Sequence, residues 1–233
     1  MLLCLVVVPA LGALVPSIRY HSSHAAIKVP VLQRALVRAS IDGQDDVRPH
    51  ARLILVRHGQ SEWNLANRFT GWVDVDLTEE GILEARAAGQ ILASEGIYVD
   101  EVHTSYLRRA IRSVMLMLST LNQCWVAVHK NPALNEQHSG FLTGQNKLDL
   151  SREFGVDQVM AWRRRFDELP PPLAEGSGLQ AALCTDSRYD EVGVPTAESL
   201  AIVCDRVQPV WERTILPSLR EGKTVLEIGR AHV

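Results

Sequence analysis

Arg57, His58 and Gly59 close an apolar run, Leu53-Ile54-Leu55-Val56, and their types could do chemistry together. A buried strand that stops abruptly at a histidine delivers an imidazole to the mouth of a sheet. The glycine lets the backbone turn and lets a ligand approach without a Cβ in the way. The arginine is an anion-binding fork beside a candidate nucleophile. Three residues alone also fit a strand end with an incidental histidine, so the weight falls on what answers them elsewhere.

Four features do. Arg109, in Ser105-Tyr106-Leu107-Arg108-Arg109-Ala110, opens a helix directly after a strand and could face Arg57 across the sheet mouth; Arg108 is the alternative binder. Glu136, in Leu134-Asn135-Glu136-Gln137-His138, follows a third strand where a carboxylate could act as acid or base. Lys147 and Arg163-Arg164-Arg165 put cations on a long insertion. Consecutive helical residues lie roughly 100° apart, so the three arginines cannot share one ligand, and Arg165 is the one assigned to solvent. Phe69-Thr70-Gly71-Trp72 offers a hydroxyl and a bare backbone N–H.

The elements that must position these groups alternate at α/β spacing, which predicts a mostly parallel central sheet flanked by helices. Arg52 to Val56 reads as the first strand. A helix follows, capped by Thr78, charged favourably by Glu79 and Glu80, and ended by Gly96. Ile97 to Thr104 reads as the second strand, Ser105 as the cap of a helix to Leu121, and Trp125 to His129 as the third strand. Between Asn131 and Pro195 the alternation lapses into an insertion with helical patches at Asp149 to Phe154 and Asp157 to Phe166, of lid or binding-segment type. Helical periodicity returns from Glu198 to Leu219, with Pro209 and Pro217 expected to kink or break it, and Thr224 to Leu226 starts a further strand.

Composition sets the bounds. The 233 residues are 46% hydrophobic and 22% charged, enough for one substantial core. A net charge of −3 argues against a nucleic-acid coat, and nothing in the body of the chain is apolar enough to span a membrane. Cys4, Cys124, Cys184 and Cys204 form no close pairs, which predicts buried thiols rather than a disulfide framework or a zinc site.

Taken in order, Arg57-His58-Gly59-Gln60-Ser61-Glu62-Trp63-Asn64, then Phe69-Thr70-Gly71-Trp72, Leu134-Asn135-Glu136, Trp162-Arg163-Arg164 and Pro195-Thr196-Ala197-Glu198-Ser199-Leu200 resemble the cofactor-dependent phosphoglycerate mutases of the histidine phosphatase superfamily, from about residue 52 to residue 226. The resemblance implies that His58 carries a phosphoryl group, that Arg57 and Arg109 clamp it, and that Glu136 passes a proton to and from the substrate hydroxyl. It implies substrate contacts at Ser61, Asn64, Thr70 and Gly71, and lid contacts at Lys147, Arg163 and Arg164. The implied partners are small phosphorylated three-carbon acids, with no nucleic acid and no membrane in the mature form; a homo-oligomer is left open. The implied primer is 2,3-bisphosphoglycerate, which must stay bound while it reorients under a water-excluding lid, and no metal is required. Trp63, Trp72 and Trp162 read as packing residues. The rivals are a phosphatase of the same superfamily and a catalytically dead phosphate-binding regulator.

Two departures from the family stand out. Gln137 and Ser139 replace an arginine and a tyrosine, removing one cation and one phenol that help hold substrate. The family's second histidine, in Ala-His-Gly-Asn-Ser after the last core strand, would fall at Arg230. His232 has the same strand parity but sits about 6–7 Å further along and is not accepted as its replacement. Glu227-Ile228-Gly229-Arg230-Ala231-His232-Val233 can be encoded by GAG ATC GGA AGA GCA CAC GTC, which contains the start of a common sequencing adapter. Residues 227–233 are therefore expected to be a non-native tail on a domain spanning 49–226. Residues 1–48 read as a leader: an apolar head from Leu2 to Val15, then Arg19, Lys28, Arg34 and Arg38 with no acid before Asp42, the composition of a plastid or mitochondrial presequence. A cytoplasmic location follows if the leader is instead a plain tail.

Overall fold

The computed structural model describes residues 5–9, 51–174 and 176–229. Among them five strands form one sheet in the order β1-β2-β5-β3-β4: β1 Leu5–Pro9, β2 Arg52–Arg57, β3 Glu101–Thr104, β4 Ala127–Lys130 and β5 Thr224–Gly229. The last four are mutually parallel, and β1 lies antiparallel on the outer edge of β2. The mostly parallel sheet is thus as the sequence predicts. The rest of the leader lies outside the described residues, as do Arg230 to Val233.

Alternate residues of β2 and β5 face opposite helical layers. Ile54, Val56, Leu226 and Ile228 pack with Val102 against α2 (Glu79–Ser94) and α3 (Arg108–Thr120), through Ala88, Leu92, Val114 and Met117. Leu53 and Val225 face the other way, onto Val210, Ile215 and Leu219. Each such aliphatic side chain contributes about 1.5–3 kcal/mol on burial, so two-sided burial holds the parallel strands in register. The insertion has its own small core of Phe69, Leu142, Leu150, Val159 and Trp162, beneath α4 (Lys147–Phe154) and α5 (Val156–Arg164).

Several sequence expectations need correction. The second strand begins at Glu101, not Ile97, because the backbone N–H and C=O of Val99 pair with the amide of Gln123 instead of a neighbouring strand. The third strand begins at Ala127 rather than Trp125, since Val126 closes a turn onto Gln123. Ser105 does not cap α3. Its hydroxyl accepts the N–H of Leu107, while the N–H of Arg108 is taken by Asp74 at 2.6 Å, a cap supplied from 34 residues away. The cysteines at 124, 184 and 204 are exposed rather than buried; Cys4 lies outside the described residues. The helix from Glu198 is α7, Leu200–Val210, followed by a wide turn over Trp211–Ile215 and α8 over Leu216–Arg220. The wide turn follows directly on Pro209, whose ring cannot complete the regular ladder, and Pro217 sits in the first turn of α8, where it is tolerated. A helix over Gly178–Cys184, which we label α6, was not anticipated.

Candidate active site

His58, Arg109 and Glu136 each follow the carboxyl end of a strand. β5 lies between β2 and β3, pairing Arg57 with Gly229 and Thr104 with Ile228, so three strand ends open onto one mouth. His58 follows β2 directly, and its backbone N–H is tied to Gly229 O at 3.4 Å. Past it the chain runs against the first turn of α2. A Cβ on Gly59 would lie 2.1 Å from Gly81 O, and one on Gly81 would lie 2.1 Å from Gln60 O. Two glycines therefore let the nucleophile loop lie on the helix, where Gln60 O takes the N–H of Thr78 and Gln60 N–H meets Glu84.

The imidazole of His58 is buried. Its Nδ1–H donates to Gly59 O at 2.7 Å, which leaves the Nε2 lone pair outward, toward Arg109. Burial first, then the charges of Arg109 and Arg57, push its pKa down to about 3. The ring is neutral at neutral pH, as a nitrogen nucleophile requires.

Arg109 is the hub. It is 1% exposed, and its fork reaches four groups: Nε to His58 Nε2 at 3.3 Å, Nη1 to Val73 O at 2.9 Å, and Nη2 to Gly71 O at 3.0 Å and Glu136 Oε2 at 3.3 Å. Arg108, the alternative, turns its side chain outward with 57% exposure. Geometry therefore selects Arg109. It joins a neutral histidine to a carboxylate through one guanidinium.

The remaining predicted residues divide. Ser61 and Asn64 form a reciprocal cap on a short helix, α1 (Glu62–Leu65): Ser61 Oγ accepts the N–H of Asn64, and Asn64 Oδ1 accepts that of Ser61. Thr70 is buried beside Gly71, whose φ of +51° suits glycine. A Cβ at Gly71 would lie 3.5 Å from both Ser139 Oγ and Thr143 Oγ1, and Thr143 Oγ1 is buried without a partner in the structure. The missing Cβ thus leaves a hydroxyl-lined cradle. Lys147 Nζ and Arg163 Cζ lie over the ring of Phe69, 5.6 and 5.7 Å from its centroid, which brings both lid cations to the residue before Thr70. Arg164 is exposed at the end of α5, as is Arg165, so the structure does not draw Arg164 into this group. Gln137 donates to Glu198 O at 2.7 Å and Trp162 O at 3.4 Å, tying the Glu136 loop to the insertion.

Sequence reasoning missed three groups. Phe69 is the ring over which both lid cations lie. Trp72, read as packing, is buried as expected, but its indole N–H also donates to Glu136 O at 2.7 Å. Glu198 and Arg206 form an ion pair behind the same loop at 2.6 Å. A glutamate just before α7 and an arginine eight residues on, inside that helix, were the available signal. Among the described residues no group of three or more His, Cys, Asp or Glu is spaced to hold a metal ion.

Residues 53–183 match the family described as the histidine phosphatase superfamily (branch 1). A curated 2,3-bisphosphoglycerate-dependent phosphoglycerate mutase of Novosphingobium aromaticivorans is 49% identical over 175 residues, covering 75% of this chain and 76% of the relative. One of Zymomonas mobilis subsp. mobilis is 49% identical over 174 residues, covering 75% of each chain. Among solved structures, a phosphoglycerate mutase from Bacillus anthracis str. Sterne superposes with TM-score 0.54 at 20% identity, over 76% of this chain and 73% of that one. A mycobacterial glucosyl-3-phosphoglycerate phosphatase does so with TM-score 0.57 at 22% identity, over 77% and 75%. At those identities the two structures speak for the fold.

Proposed function

The chain belongs to the histidine phosphatase superfamily (branch 1), and we propose that it is a 2,3-bisphosphoglycerate-dependent phosphoglycerate mutase, interconverting 2- and 3-phosphoglycerate in glycolysis and gluconeogenesis. The observation that carries this reading is the single guanidinium of Arg109 spanning His58 Nε2 and Glu136 Oε2, within a chain 49% identical to curated mutases. Nε2 of His58 carries the phosphoryl group. As the group passes to the substrate's free hydroxyl, the P–N bond breaks, a P–O bond forms, and Glu136 takes the hydroxyl proton. For the return from the neighbouring oxygen, Glu136 gives the proton back to the departing oxygen as the P–N bond re-forms.

Transfer spreads charge over three equatorial oxygens, so fixed cations supply most of the catalysis. Arg57 and Arg109 take that part, and Lys147 and Arg163 hold the substrate's carboxylate and second phosphate. Ser61, Asn64, Thr70 and Gly71 complete the proposed contacts. The unpartnered hydroxyl of Thr143 beside Gly71, with two cations over the ring of Phe69, fits a small, multiply anionic ligand. When bound, 2,3-bisphosphoglycerate supplies the phosphoryl group that primes His58.

The test is conversion of 3-phosphoglycerate to 2-phosphoglycerate with and without 2,3-bisphosphoglycerate. Isomerisation that depends on the primer supports the reading. Hydrolysis to inorganic phosphate without isomerisation favours the phosphatase, and binding with neither reaction favours the inactive regulator.

A further inference from the structure

We propose that Glu198 and Arg206 are positioning residues for Glu136, holding its loop from both sides so that the carboxylate meets the leaving oxygen. The inference rests on the function proposed above. Arg206, on α7, donates to Ala133 O, to Asn135 O at 2.8 Å and to Glu136 O at 3.0 Å, while its Nε and Nη2 bind the two oxygens of Glu198 at 2.6 and 3.0 Å. Glu198, 1% exposed, extends the clamp past the carboxylate: Oε2 accepts the N–H of His138 at 2.7 Å, and its backbone N–H donates to His138 O at 3.0 Å. Residues 133 to 138 are thus gripped before and after Glu136. Trp72 adds a second donor to Glu136 O and lies under the Arg206 guanidinium at 5.7 Å.

Within this clamp, rotation about the Glu136 side-chain bonds is the freedom left, and Arg109 sets it through Oε2. A planar fork is needed, because one guanidinium serves three carbonyls and a carboxylate in fixed directions; an ammonium carries the charge but not the directions. His58 hydrogen-bonds to Gly59, Gly229 and Arg109 and not to Glu198 or Arg206, so the effect of these two should fall on the proton and not on the phosphoryl group.

That distinction gives the experiment. Arg206→Lys and Glu198→Gln are compared with the unsubstituted chain for phosphoryl uptake at His58 from two donors. With 2,3-bisphosphoglycerate the ester P–O bond breaks, the P–N bond forms, and the departing alkoxide needs the proton of Glu136. With p-nitrophenyl phosphate the phenolate leaves without one. Displacing a general acid by about 1 Å should cost about 10- to 100-fold with the first donor in Arg206→Lys, and less than about threefold with the second. Glu198→Gln should act in the same direction. Solvent exchange of the Trp72 indole N–H should become at least about tenfold faster in Arg206→Lys, as opening the loop releases its acceptor. Equal losses with both donors, or wild-type selectivity in Arg206→Lys, overturn the proposal. If the unsubstituted chain takes phosphoryl from neither donor, it is the functional reading that fails. Indole exchange then decides positioning alone: faster exchange in the variant supports it, and unchanged exchange overturns it.

Discussion

The Nε–H of Arg109 points at Nε2 of His58 across 3.3 Å, and because Nδ1–H of the same ring is committed to Gly59 O, Nε2 is the acceptor. The bond to Gly59 O thus fixes the tautomer, and burial, reinforced by the charges of Arg109 and Arg57, keeps the imidazole neutral. The pKa pushed down to about 3 lies below the unfolded value, so folding disfavours the protonated ring. The stability this gives is present above pH 6.5 and is lost as pH falls toward 3. In an NMR titration of ring nitrogens, His58 should stay neutral from pH 8 to about 4. A transition near 6.5 would remove the electrostatic basis of the site.

Replacing Arg109 by lysine keeps one charge but cannot span His58, Val73, Gly71 and Glu136 together. Uptake of phosphoryl at His58 should fall by about 10²–10³, the scale of removing a preorganised donor from a transferring group. Arg108→Lys is the contrast, since that side chain faces solvent, and should change uptake by less than about twofold.

Gly81→Ala tests the packing that aims the nucleophile loop. Inside a helix the exchange ordinarily stabilises by roughly 0.5–1 kcal/mol. Here the new methyl would meet Gln60 O at 2.1 Å, backbone against backbone, so the sign should reverse to a loss of about 1–3 kcal/mol. Thermal denaturation reads it as a lower Tm. An unchanged or raised Tm would mean that the loop does not lie on α2.

Glu227 sits on β5 opposite Leu55 and His103, where burial pushes its carboxyl up to about 7. A folded-state pKa above the unfolded one favours the protonated fold, so its stability contribution is present below about 4.5 and is lost as pH rises through 7. The difference in Tm between Glu227→Leu and the unsubstituted chain should grow from pH 4.5 to 8, reaching on the order of 3 kcal/mol in stability. A pH-independent difference would show that the carboxylate is solvated.

Much of this was legible in the sequence because the informative residues are local. Leu53 to Val56 announces a two-sided buried strand, and Thr78 is the observed cap, accepting the N–H of Gly81. What was not legible depends on partners distant in the chain. The cap of α3 comes from Asp74, the start of the second strand is displaced by the Gln123 amide, and the Glu136 loop is held by Arg206, some 70 positions on. Ser61 and Asn64 are the exception: their reciprocal cap is local, three residues apart, but the motif alone assigns them to a ligand and the cap appears only once α1 is seen. Periodicity reports which face is apolar; it does not report which polar group crosses the fold to satisfy a backbone atom.

The central claim is that Nε2 of His58 carries the phosphoryl group, and labelling tests it most directly. The chain is incubated with ³²P-labelled 2,3-bisphosphoglycerate, digested, and mapped by mass spectrometry. The account predicts an acid-labile, alkali-stable label on the peptide carrying His58, absent from His58→Ala and much reduced in Arg109→Lys. Label on another residue, or none on His58 while 2- and 3-phosphoglycerate still interconvert, would contradict it.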